Sequence, residues 1–130
     1  MAGSVRTPLS NATQVAGRAP AQRLLALDRI ADGALVEVEA TLDNDAESLV
    51  LHRVGDSVRA WLNICPHAGR RLDWAPGQFL KSKDGLLVCA AHGASFELGK
   101  GECVAGPCRG EALRAVAVEV RDGAVWLASS

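Results

Sequence analysis

Two short segments in the middle of the chain constrain it most: Cys65-Pro66-His67 and, after 21 intervening residues, Cys89-Ala90-Ala91-His92. Each sets one thiol and one imidazole on a short loop after an expected strand. Small residues follow at once, Ala68-Gly69 in the first and Gly93 in the second. Glycine adopts backbone conformations closed to other residues and lets amides approach a metal centre. Four such donors fit one zinc ion. Structural zinc sites, however, usually pair thiol with thiol and imidazole with imidazole along the chain. Mixed pairs suit two metals side by side, one taking Cys65 and Cys89 and the other His67 and His92. A single Cys-x-His would be coincidence more often than ligand; two mixed pairs, each after a strand and with glycine in place, are hard to obtain by chance.

The rest of the chain is ordinary. Its 130 residues make one domain, or one domain plus a tail. A chain of this size needs no disulfide scaffold to fold. With 14 Lys and Arg against 15 Asp and Glu, the net charge of −1 excludes a nucleic-acid binder that works by bulk positive charge. Apolar residues at 48% and charged residues at 22% exclude global disorder. The longest apolar runs, such as Leu24-Leu25-Ala26-Leu27, are far too short for a membrane helix. Residues 1–30 hold neither the apolar core of a signal peptide nor an arginine pair. The expected compartment is the reducing cytoplasm, where cysteines bind metal more often than each other. Asn11-Ala12-Thr13 therefore counts for little as a glycosylation acceptor.

Residues 1–22 read as a tail rich in Ala, Ser, Thr, Gly and Pro, and residues 23–128 as the domain. Alternation predicts strands over Gly33–Ala40, Ser48–Val54 and Ser57–Ile64, the last two joined by a turn at Asp56-Ser57. A further strand is expected over Leu113–Val120, turning at Asp122-Gly123 into Val125-Trp126-Leu127. Leu24–Ile30 is too short to count as a helix. Between these strands, about 63–110, lies a segment that holds all four cysteines. Its strand signals are short: Gln78–Leu80, Leu86–Cys89 and Ala94–Leu98, with Lys83-Asp84-Gly85 turning between the first two. The fold class is all-β, an antiparallel β-sandwich or barrel base carrying an inserted loop-rich subdomain.

At this point the chain resembles the Rieske [2Fe–2S] proteins, whose motif is Cys-x-His, a spacer, then Cys-x-x-His. In that family two His replace two Cys on one iron of the cluster. Asn63, His92-Gly93-Ala94, Phe96 and the stretch Gly101–Gly110 fit the same pattern, and the likeness spans about residues 23–128. It implies one [2Fe–2S] cluster held by Cys65, His67, Cys89 and His92. It also implies histidines at an exposed tip, cysteines deeper, and a Gly101–Gly110 loop covering the cluster. Cys103 and Cys108 are not needed as ligands; they fit either a small disulfide or, as a reducing compartment favours, two buried thiols. Trp74 and Phe79 are expected to pack under or beside the cluster. Arg70 and Arg71 are either a solvated loop face or a docking patch. His52 is expected to be a surface or half-buried structural histidine.

Departures from the family pattern narrow the reading. Rieske subunits of respiratory complexes carry an extra cysteine in each loop, where this chain has Arg70 and Ala91, so that bridge cannot form. Their hydroxyl donors to cluster sulfur correspond to Ala94 and Phe96 here, neither of which can donate. Fewer hydrogen bonds to sulfur mean a lower potential, below about 0 mV in a family range of roughly −150 to +300 mV. The likeness is therefore to soluble Rieske-type ferredoxins, one-electron carriers rather than enzymes, passing electrons from a reductase to an oxygenase or similar acceptor. The spacer is slightly longer than in dioxygenase ferredoxins, an excess that fits a hairpin tip at Lys81–Gly85. Apart from the two pairs only His52 remains, so the chain cannot itself build an oxygenase's mononuclear iron site. Two other readings stand beside this one: the Rieske-like small subunit of a nitrite-type reductase, and a structural zinc domain. Charge is uneven. Residues 21–64 hold 4 basic and 8 acidic residues, whereas residues 65–110 hold 6 basic and 4 acidic, so the metal end suits an acidic partner surface. Neither nucleic acid nor membrane is an expected partner.

Overall fold

The computed structural model describes residues 22–66, 69–90, 93–108 and 110–128. In chain order the strands are β1 (Gln22–Ala26), β2 (Leu35–Leu42), β3 (Asp45–Val54), β4 (Ser57–Leu62), β5 (Leu80–Lys81), β6 (Leu87–Val88), β7 (Ser95–Phe96), β8 (Cys103–Ala105), β9 (Ala115–Val116), β10 (Val118–Arg121) and β11 (Ala124–Leu127). They form three antiparallel sheets. A central sheet runs β9-β4-β3-β2, a second β10-β11-β1, and a third, in the loop-rich lobe, β5-β6-β7-β8. The expected all-β architecture with an inserted lobe is what the chain adopts.

Strand β3 is the wall between two cores. Its alternation sends Leu49 and Leu51 to one face and Val50 and His52 to the other. All four are buried, so both faces of the central sheet are covered. Leu49 and Leu51 join Ile30, Ala40, Ala60, Leu62 and Val125 in the base core. Val50 joins Trp61, Leu72, Leu87 and Phe96 in a second core beneath the lobe. Strand β4 divides the same way, with Ala60 and Leu62 facing the base and Trp61 the lobe.

Two tight turns set the register of the base. Asp43 and Asn44 (φ 50° and 73°) join β2 to β3, and Asp122 and Gly123 (φ 54° and 72°) join β10 to β11. Two-residue loops with both φ positive match the twist of the strands they connect. The strand expected over Leu113–Val120 proves to be two. Ala115–Val116 pairs with β4, whereas Val118–Arg121 pairs with β11. Ala117 is the corner, its carbonyl accepting the Ala128 N–H at 3.0 Å. A strand that changes sheets keeps its period, so alternation does not reveal the break. At the other end Gln22, placed in the tail by composition, already opens β1. The Leu24–Ile30 run divides into the end of that strand and a 3-10 turn at Leu27–Arg29.

The lobe's strands are two or three residues long. The hairpin tip expected near Lys83-Asp84-Gly85 is present: Ser82 N–H donates to Leu86 O at 2.9 Å and Gly85 N–H to Ser82 O at 2.9 Å. Among the described residues no helix is long and apolar enough to cross a membrane.

Candidate metal centre

The two loops that carry the cysteines are closed in the same way. Cys65 N–H donates to Arg70 O at 2.7 Å, and Cys89 N–H donates to Ala94 O at 2.7 Å. Within each loop a glycine four residues on donates back to the cysteine carbonyl, Gly69 to Cys65 at 2.8 Å and Gly93 to Cys89 at 2.9 Å. Both glycines have positive φ, 66° and 74°, which a side chain would strain. This is the structural reason for the glycine four residues after each cysteine. The same closure places both thiols inward. Cys65 and Cys89 are fully buried, lie outside any disulfide, and belong to one core cluster with Val50, Trp61, Leu72 and Phe96.

His67 and His92, with Ala68, Ala91 and Arg109, fall outside the described residues. Two of the four expected ligands are thus placed, and among the described residues no group of three or more metal-ligating side chains occurs. The two placed thiols fit the thiolate half of a two-iron site, being buried in one core cluster and held on matching loops. Neither Ala94 nor Phe96 offers a donor, and both are buried. Ser95 between them turns its hydroxyl to Gly93 O at 3.3 Å.

A third loop lies against the second. Cys103 and Cys108 are joined by a disulfide, with Cα atoms 5.8 Å apart. This overturns the expectation of two thiols. Strand β8 fixes Cys103, and Gly106 (φ 93°) turns the chain back toward it. Cys103 N–H then bonds Glu111 O, and Glu111 N–H bonds Cys108 O, each at 2.8 Å. The fold thus holds the two cysteines at bonding distance. Both cysteines are also buried. The preceding turn is held by Glu97, whose carboxylate accepts N–H groups of Gly99, Lys100 and Glu102 at 2.8, 2.6 and 3.2 Å. Its partial burial opposes ionisation, but the three N–H donors prevail and hold its pKa below the ordinary value.

A polar network that the sequence reading missed fastens the first loop to the base. Asn63 is buried and fully engaged: its amide nitrogen donates to Ser48 Oγ (3.1 Å) and Asp73 Oδ2 (3.2 Å), and its oxygen accepts Leu72 N–H at 2.9 Å. Asp73 also accepts Gly77 N–H at 3.1 Å. Arg71 grips both oxygens of Asp73 at 2.9 and 2.7 Å and reaches Glu37 of β2 at 2.9 Å, while Ser48 donates to Glu37 at 2.6 Å. The Ser48 and Arg71 hydrogen bonds lower the pKa of Glu37. Burial opposes ionisation of Asp73, yet Arg71, Gly77 N–H and Asn63 together lower its pKa too. The Arg71-x-Asp73 spacing was the available signal; their partners on β2 and β3 lie too far off in sequence to be seen.

Arg70 and Arg71 therefore differ. Arg71 is an internal tie, whereas Arg70 is exposed and its side chain makes no ion pair or hydrogen bond among the described residues. Phe79 packs against the lobe core as expected. Trp74 does not pack inward: it is 60% exposed and shares a shallow depression with Arg70, Arg71, Asp73 and Ala90. His52 is more deeply buried than expected, 8% exposed, and its Nδ1 has no hydrogen-bond partner. Burial lowers its pKa, and the nearby Lys81 and Arg59 charges add to the effect.

Comparison with known proteins agrees with this geometry. Residues 22–121 match the Rieske [2Fe–2S] domain. The chain resembles the ferredoxin of carbazole 1,9a-dioxygenase from Nocardioides aromaticivorans IC177, with 27% identity and a TM-score of 0.65 over 85% of this chain and 98% of that one. It also resembles a chain in a complex of reduced oxygenase and oxidized ferredoxin of carbazole 1,9a-dioxygenase, at 25% identity, TM-score 0.63, and 83% and 92% coverage of the two chains. The terminal oxygenase from Novosphingobium sp. KA1 shares the fold over 82% of this chain but only 29% of its own length, at 21% identity and TM-score 0.66. No curated protein matches the chain. The chain belongs to the Rieske [2Fe–2S] domain family. Its cofactor is a [2Fe–2S] cluster, and its work is electron transfer.

Proposed function

We propose that the protein is a low-potential Rieske-type ferredoxin that takes one electron from a reductase and gives it to an oxygenase or similar acceptor. The observation that carries this is the pair of matched loops, which bury Cys65 and Cys89 together beneath one lobe. In this reading Cys65 and Cys89 hold one iron as thiolates, and His67 and His92 hold the other. A cluster held by these residues would supply one-electron redox chemistry. The chain's own residues do the rest. Burial around the thiols keeps water from the sulfur side. Ala94 and Phe96 supply no hydroxyl to sulfur, which favours a potential in the lower part of the family range, below about 0 mV. The positive excess of residues 65–110, with Arg70 exposed within it, suits an acidic surface on the partner. The ferredoxin–oxygenase complex among the structural relatives supports an oxygenase as that partner.

The test is electron paramagnetic resonance of the dithionite-reduced protein, with iron and sulfide counted on the same sample. About two irons and two sulfides per chain, with a paramagnetic signal that appears only on reduction, are the expected result. Zinc in place of iron would sink the reading. Stable co-purification with a large reductase subunit would move the protein from free carrier to subunit.

A further inference from the structure

The disulfide has no part in holding a cluster, yet its loop touches the loop that does. Gly106 sits within the span bracketed by Cys103 and Cys108. A methyl group added to it would lie 2.9 Å from Ala94 Cα, 3.3 Å from Gly93 O and 3.4 Å from Ala94 N. Those atoms belong to the two residues that close the Cys89 loop: Ala94 O accepts the Cys89 N–H, and Gly93 N–H donates to Cys89 O. The pairing of β7 with β8 brings Ser95 beside Ala105 and Phe96 beside Cys103, with an irregularity between them. The third loop is thus seated on the second by backbone contact, at the one point where only glycine fits. Strand β8 fixes one end of it. Among the described residues the other end is held by Cys108, buried in the lobe core, and by the backbone bond from Glu111.

We propose that the Cys103–Cys108 disulfide is a clamp: it presses Gly106 onto Gly93 and Ala94, and so keeps the Cys89 loop closed around its share of the cluster. The disulfide pair and Gly106 are positioning residues, acting through the second loop. This inference rests on the ligand set proposed above. A cross-link removes open conformations of its own six-residue loop, and the close contact passes that restriction to Ala94 and hence to the amide of Cys89.

The experiment compares the cluster-loaded wild type with two variants, Cys103→Ala/Cys108→Ala and Gly106→Ala, and with Gly110→Ala as a control. Gly110 also has positive φ, 96°, but nothing lies within 4 Å of an added methyl. First, thiols are counted after denaturation and iron removal without reductant. Two thiols in the wild type support the clamp, and four would overturn it by removing the disulfide. Next, cluster loss to a chelator is followed by absorbance, and the midpoint potential and resonance spectrum are recorded. The clamp predicts loss about tenfold faster in the double variant and in Gly106→Ala, as for supporting partners of metal ligands, with altered g values in both and little change in Gly110→Ala. The Gly106→Ala protein should still show only two thiols, which separates the contact from the cross-link. Wild-type rates and spectra in the double variant would overturn the clamp while leaving the ligand set intact. A wild type that holds no iron would instead overturn the ligand set.

Discussion

The base and the lobe are built on different physics. The base has strands of 8, 10 and 6 residues in β2, β3 and β4, and an aliphatic core of Ile30, Leu49, Leu51, Leu62 and Val125. The lobe has three strands of 2 residues and one of 3, yet it packs Leu72, Leu87 and Phe96 as tightly. Burial of each large aliphatic contributes about 1.5–3 kcal/mol in either region. The difference lies in the backbone. In the base, long ladders satisfy it. In the lobe, glycine turns, the Glu97 carboxylate and the Asn63–Asp73 network do so one group at a time, and a disulfide adds a cross-link. A lobe assembled from such ties stays closed only while each holds, and a cluster bridging its first two loops would be the strongest of them.

The largest expected effect follows from removing that bridge. Cys65→Ser or Cys89→Ser should abolish iron binding and electron transfer. Metal binding is coupled to the order of the site that binds. Hydrogen exchange should therefore show lost protection at the Cys65, Gly69, Cys89 and Gly93 amides, while β3 and β4 keep theirs. Removing iron from the wild type with a chelator should give the same pattern. Equal protection in the lobe with and without iron would erase the contrast between the two regions.

Next in size is a lesion in the base. Leu51 is fully buried in the base core, so Leu51→Ala should cost about 2–5 kcal/mol through lost burial and the cavity left behind. Because β3 is also the floor of the lobe, the loss should appear in urea unfolding of the whole molecule. The absorbance of folded, loaded protein should be unchanged. A cluster spectrum altered in the folded state would mean that the two cores are coupled more closely than their separation by one sheet suggests.

A smaller effect is expected at the seam. Asp73→Asn removes a carboxylate that serves Arg71, Asn63 and Gly77, at a cost of about 1–2 kcal/mol, the range for hydrogen bonds to charged groups with Arg71 half exposed. The pH dependence carries a sign. Glu37 and Asp73 are both held below their ordinary values of 4.5 and 3.8, so folding favours their charged forms. Their contribution is complete above those ordinary values and is lost as pH falls through the lowered folded values. Below about pH 5 the wild type should lose stability more steeply than Asp73→Asn, as followed by thermal unfolding across the acid range. Parallel slopes would show that the network is not what fastens the lobe.

How far the sequence could be read differs between the same two regions. The base strands were legible because alternation is local, and Asp122-Gly123 announces its turn. The Asp43-Asn44 turn carries a weaker signal, since neither residue is glycine, and the corner at Ala117 keeps an unbroken period. In the lobe the two Cys/His motifs stand out because their residue types and spacing are distinctive, and the match of residues 22–121 to the family agrees with that reading. The ties around them were not legible. Glu37 and Asp73 are 36 positions apart and meet through Arg71 only once β2 has been folded beneath the first loop. The state of Cys103 and Cys108 depended likewise on a turn at Gly106 rather than on their spacing.

The smallest expected effect separates two adjacent arginines that look alike in sequence. Arg71 is held by Asp73 and Glu37, so its charge is already balanced within the fold. Arg70 is exposed, beside the 60%-exposed Trp74, and its charge is open to a partner. Arg70→Gln should leave thermal stability unchanged and slow electron transfer to an acidic partner by about two- to fivefold at low salt, because a rim charge acts on encounter. The deficit should vanish near 1 M salt, where the screening length is about 3 Å. Arg71→Gln should do the reverse, lowering stability and cluster retention while leaving the salt dependence of the rate as in the wild type. If the two variants behave alike, the first loop is a single charged face, and the division between internal tie and docking group does not hold.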